Sequence, residues 1–139
     1  MQLMMRLLVI LALMLPTSAF AELEFSDARI KNLPATVPVR AGYVSIHNPG
    51  AVPVVVVGAR SERFASVEFH RSLMQDGMMR MEPVSELTIA AGSSLELEPG
   101  GLHMMMMQPL QPTRLGESIE LFLLLQDGSE QLLPMEVIK

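Results

Sequence analysis

Leu102-His103-Met104-Met105-Met106-Met107-Gln108 is the stretch on which the reading of this 139-residue chain turns. Read as a β-strand, its period of two puts His103, Met105 and Met107 on one face and Leu102, Met104 and Met106 on the other. The second set is expected to pack inward. Side chains two apart on one strand face lie roughly 7 Å apart at the backbone. His103 and Met105 can therefore converge on one metal ion, and Met104 and Met106 cannot easily join them.

The same pattern of short strands and turns continues outward. Ala41 to His47 alternates, with Tyr43 and Ser45 on one face and Val44 and Ile46 on the other, until Asn48-Pro49-Gly50 breaks it. Val54 to Val57 is a β-branched run. Further strands are expected at Ser66 to His70, Met78 to Met81, Glu86 to Ile89, Ser94 to Glu98, Leu102 to Gln108, Ile119 to Gln126 and Gln131 to Ile138. Glycine and proline punctuate them, and Asp127-Gly128 between two strand-like runs signals a hairpin. A helical turn is expected only at Arg71 to Gln75. Many short strands at regular spacing imply an all-β fold, an antiparallel barrel or sandwich, in one domain.

The first residues read as a secretory signal: Arg6, an apolar run from Leu7 to Leu15, and Ala19-Phe20-Ala21 as an A-x-A cleavage site. The run is shorter than the roughly 20 apolar residues of a membrane span. Cleavage after Ala21 would leave one domain, residues 22–139. Export permits disulfides, yet the chain has no cysteine. That excludes a thiol nucleophile, a thiolate zinc site, an iron–sulfur cluster and a blue-copper centre. Net charge is -5 and no basic run occurs, which argues against nucleic acid as a partner.

Two of the three histidines lie in or beside a methionine-rich segment. His70, Met81, His103 and Met105 fall in a spacing of H-x10-M-x21-H-x-M, with eight methionines between Met74 and Met107. A methionine in an apolar strand is usually core filling, but a core has no need of such clustering, and Leu or Val would specify it better. Thioether sulfur is soft and does not titrate, so it favours Cu(I), and imidazole adds stronger donors that also suit copper. The roles of Met78, Met79 and Met107 stay open at this point. His47 lies outside the spacing and reads as structural or surface. Asp76 and Glu82 flank the four and offer to orient an imidazole, although solvated loop charges are the more ordinary reading. No Ser-His-Asp or paired-carboxylate arrangement can be argued, so no enzyme is expected.

These residues resemble the PCuAC family of periplasmic copper chaperones. The family's metal signature is matched position by position by His70, Met81, His103 and Met105. AGYVSIHNPG, SVEFHRSLMQDGMMRMEPV, LTIAAGSSLELEPGGLHMMMM and LFLLLQDG resemble family blocks, and the similarity runs from about Glu24 to Val137. The resemblance implies a cupredoxin-like Greek-key barrel in the periplasm, acting as a monomer. It would hold Cu(I) and deliver it toward the CuA centre of cytochrome c oxidase, with a thiol-bearing assembly protein and the CuA subunit as partners. Pro53 and Val54 depart from the family, which often carries an acidic residue there. The His- and Met-rich tail that some members add does not follow Lys139 in this sequence, so a second site of that kind is not expected. Copper storage or resistance is one rival function. An exported β-sandwich that binds protein partners through adaptable methionines, without metal, is another.

Overall fold

The computed structural model describes Glu22–Lys139; the expected signal and its cleavage point at Ala21 lie outside the described residues. Ten strands follow one another: β1 (Glu24–Lys31), β2 (Val39–His47), β3 (Val54–Arg60), β4 (Phe64–Gln75), β5 (Met78–Val84), β6 (Leu87–Ile89), β7 (Ser94–Leu97), β8 (Leu102–Pro109), β9 (Ser118–Leu125) and β10 (Glu130–Ile138). No helix occurs among the described residues.

Seven of the strands close a barrel in the order β4-β8-β2-β1-β10-β9-β3, returning to β4 where Ala59 pairs with Val67. β4 is long enough to serve two partners on one edge. It meets β3 at Val67 and then, from Phe69 onward, carries β5 as a hairpin that leaves the barrel wall. β6 lies beside β3, and β7 lies beside the second half of β2. Every pairing is antiparallel except β1 with β10, where the first and last strands run side by side in parallel. The expected all-β antiparallel barrel is thus found, with one parallel seam.

Alternation fills the barrel. Val44 and Ile46 of β2, Met104 and Met106 of β8, Leu121 and Leu123 of β9, and Leu133 and Met135 of β10 are all fully buried. Gly42 makes room for this packing, because a Cβ there would overlap the methyl of Met106 and crowd that of Met135. Arg40 also points inward, and its guanidinium is satisfied by Thr113 Oγ1 at 3.0 Å and by the carbonyls of Val37 and Val39 at 2.8 and 2.9 Å. A buried guanidinium needs such partners, since desolvating an unpaired charge is costly.

Two sequence expectations fail locally. β1 does not read as a strand because a bulge interrupts it. The register with β2 shifts between Ser26 and Arg29, and Asp27 takes a positive φ of 53°. Phe25 and Ile30, five residues apart, then both face the core, which strict alternation forbids. Arg71 to Gln75 forms no helical turn but continues β4. The deciding signal is Asp76-Gly77, whose φ values of 52° and 75° build a two-residue hairpin with Gln75 opposite Met78. Asp127-Gly128 joins β9 to β10 as expected.

Candidate metal site

β4 and β8 run antiparallel with His70 directly opposite His103, Glu68 opposite Met105 and Ser66 opposite Met107. All six belong to the outer face, since the alternating residues Val67, Phe69, Met104 and Met106 are buried inside. The expected division of the β8 tract therefore holds, with Met104 and Met106 at 0% exposure. His70 does not end its strand, as the sequence pattern suggested. It sits in the middle of the twelve-residue β4.

The two imidazole rings lie 6.2 Å apart between centroids, with their planes tilted by 31°. That spacing leaves room for an ion bound at about 2 Å from one nitrogen of each ring. The hydrogen bonds decide which nitrogens are free. His103 Nδ1 is 3.0 Å from the carbonyl oxygen of Gly101. A carbonyl only accepts, so Nδ1–H donates and a neutral ring carries its lone pair on Nε2. That Nε2 is buried and has no hydrogen-bond partner. Leaving a buried polar atom unsatisfied costs about 1–3 kcal/mol, and a bound cation would remove the deficit.

His70 is held differently. Its Nε2 lies 2.8 Å from Glu68 Oε2, and the carboxylate accepts, so Nδ1 remains as the ring's free donor to a metal. Orienting a ligand imidazole through its second nitrogen is a common outer-shell arrangement. Glu68 is the carboxylate that holds His70, and Asp76 and Glu82 are exposed charges, the more ordinary of their two readings. Asp76 occupies the hairpin turn, and Glu82 stands opposite Arg71 on the other face of the hairpin. Glu68 was within reach of sequence reasoning, because residues two apart on a strand share a face.

Of the four residues singled out by spacing, three lie on the β4–β8 pair and the fourth on β5. Met105 follows His103 on the outer face of β8 and lies diagonal to His70, a separation of about 7–8 Å at the backbone. Met81 lies diagonal to His70 on its other side. It stands on β5 opposite Ser72, one strand beyond His70, and is 55% exposed. It shares the face, but β4 lies between it and β8. His47 is remote from this group, with Nδ1 2.9 Å from Ser94 Oγ, a bond across the β2–β7 pair. Asn48, beside it, is buried and organises the following loop, donating to the carbonyls of Val52 and Ile89. No cluster of three or more histidine, aspartate or glutamate side chains among the described residues is arranged to hold a metal. The candidate donors are therefore soft thioethers and imidazoles, and a hard cation is poorly served.

Comparison with known proteins agrees with this architecture. A lipoprotein of Leifsonia xyli subsp. xyli, Lxx21020, is 37% identical over 90 residues, which cover 64% of this chain and 54% of that protein. The chain thus spans about half the length of that relative. The copper-bound PCuAC domain of PmoF2 superposes with a TM-score of 0.70 at 17% identity, covering 84% of this chain and 92% of that one. At that identity the likeness speaks for the fold alone. The Cu(I) form of DR1885 from Deinococcus radiodurans is 28% identical over 81% of this chain and 75% of its own, with a TM-score of 0.66. Residues 23–137 match the LpqE-like lipoprotein family over nearly all of the described barrel. With the cupredoxin-like barrel of PCuAC domains and this match along its length, the chain belongs to the LpqE-like family.

Proposed function

We propose that this chain is an exported carrier of copper that holds Cu(I) on His70, His103 and Met105, with Met81 closing over the ion when the β4–β5 hairpin bends toward the barrel. The observation that carries the reading is the buried, unpartnered Nε2 of His103 beside a second imidazole whose Nδ1 is free. The Cu(I) form of DR1885, 28% identical, shares this fold and supports copper as the cargo. All four donors are neutral, so the ion keeps its charge, and the nearby Glu68 carboxylate offsets part of it. Acceptor sites with thiolates would hold Cu(I) more tightly, which favours release by ligand exchange. The acceptors we propose are a thiol-bearing assembly protein and the CuA subunit of cytochrome c oxidase. The carrier acts as a monomer, in the periplasm, without turning over a substrate.

The signal-like segment ending at Ala21 and the lipoprotein names of the relatives support export. Among the described residues no helix is long and apolar enough to cross a membrane.

Competition with a Cu(I) chelator tests the reading. One equivalent of Cu(I) should bind with an affinity that drops at least tenfold in His70→Ala and in Met105→Leu. Failure of the intact chain to compete would remove copper carriage. A deletion strain grown under copper limitation then separates delivery, in which oxidase activity falls, from storage, in which it does not.

A further inference from the structure

The β4–β5 hairpin exposes more methionine than a packed protein requires. Met74, Met78, Met79 and Met81 are 68%, 70%, 59% and 55% exposed, four of the ten large apolar side chains that stand in solvent among the described residues, gathered within eight residues. Nothing in the core uses them. Scattered exposed apolar residues are ordinary, but a contiguous group marks a binding surface.

Register sorts the four. Met74 stands directly opposite Met79, and Met81 opposite Ser72, so Met74, Met79 and Met81 share the face that carries His70. The other face holds Arg71, Gln75, Met78, Arg80 and Glu82, which keeps the hairpin's charged side chains away from the thioethers. Directly opposed residues lie about 5 Å apart, and diagonal or same-strand neighbours about 7–8 Å. Three unbranched methionine side chains on such a triangle can bring their sulfurs to one soft ion.

We infer that Met74, Met79 and Met81 form a second, all-thioether site for a soft monovalent cation at the hairpin tip, sharing Met81 with the imidazole site. The inference rests on the copper-carrier reading and adds the route by which the cargo moves. An ion caught at the tip passes to His70 and His103 by exchanging Met74 and Met79 for the imidazoles while Met81 stays attached. Met81 lies diagonal to both His70 and Met74 across the β4–β5 pair, a position from which one side chain can serve two sites. Three thioethers with no imidazole bind more weakly than the mixed set, so the tip fills second at equilibrium.

Ag(I), a redox-inert and diamagnetic stand-in for Cu(I), tests this on the full mature chain with carbon-13 methyl labels on methionine. The first equivalent should shift the Met105 methyl, and the second should shift Met74 and Met79. Met74→Leu/Met79→Leu, which changes only exposed side chains, should keep the first event and lose the second. Met74 and Met79 methyls that stay still through two equivalents, or a second event that survives in the double variant, would overturn the hairpin site and leave the carrier reading standing. If the first equivalent moves Met74, Met79 and Met81 and leaves Met105 untouched, the hairpin site stands and the imidazole site falls.

Discussion

Met104 and Met106 on β8 and Met74, Met79 and Met81 on the β4–β5 hairpin are the same residue in opposite surroundings. The first pair is fully buried, with Met106 reaching the space that Gly42 leaves open, and its sulfurs do the work of hydrocarbon. The hairpin three stand more than half in water, where a flexible apolar side chain stabilises little. Between them lies Met105, half-buried and next to His103 on the outer face. Burial thus separates methionines kept for volume from those proposed to be kept for their sulfur. The comparison fails if the two groups respond alike to loss of sulfur or loss of volume.

The largest effect should come from volume on the inner face. Met106→Ala leaves a cavity in the barrel and should cost about 2–5 kcal/mol of unfolding free energy, read from denaturant midpoints. A loss under about 1 kcal/mol would place Met106 outside the core and break the contrast.

Next comes the outer face. Glu68→Ala frees the His70 ring, and metal affinity should fall about 10- to 100-fold while the fold stays intact, since Glu68 is exposed. An unchanged affinity would mean that the 2.8 Å contact is incidental. Met105→Leu keeps volume and deletes sulfur. It should weaken Cu(I) binding roughly tenfold, about 1.4 kcal/mol, with a stability loss below about 1.5 kcal/mol. Met104→Leu, one residue away on the inner face, should leave binding unchanged. Met107 shares the outer face and can substitute in part, so Met105→Leu/Met107→Leu should bind worse than Met105→Leu alone.

How far these assignments were legible in the sequence varies by element. Period two alone divided the β8 tract correctly, because a strand paired on both edges leaves its side chains no other choice. β1 was hidden by its own bulge at Asp27, where one residue in the left-handed region reverses the alternation. β4 was cut short because Arg71 to Gln75 shows no strand-like alternation of burial. Its pairing partner is the hairpin arm beyond Asp76-Gly77 and not the core. The spacing of His70, Met81, His103 and Met105 pointed to one surface but not to distances on it. Only the β4–β8 register puts His70 against His103, and only the β4–β5 register sets Met81 one strand away. The parallel seam of β1 and β10 leaves no local trace, since it joins the two ends of the described barrel.

The smallest effect lies away from both groups of methionines and serves as a control. Hydrogen bonds from the Arg63 guanidinium, and then from the Arg114 backbone, hold the Glu117 carboxyl below its ordinary value of 4.5. A depressed carboxyl stabilises the fold above that value and loses its contribution as pH falls through the lowered one. Glu117→Gln should therefore lose about 1 kcal/mol at neutral pH, the scale of a solvent-screened ion pair, and that loss should shrink in acid. A difference that instead grows in acid would reverse the assigned direction.

The most direct measurement is X-ray absorption on the chain loaded with one equivalent of Cu(I). Two imidazole nitrogens and thioether sulfur around the same ion, with the sulfur signal reduced in Met105→Leu and unchanged in Met104→Leu, is the expected result. An ion surrounded by sulfur alone, or by nitrogen and oxygen with no sulfur, would contradict the account.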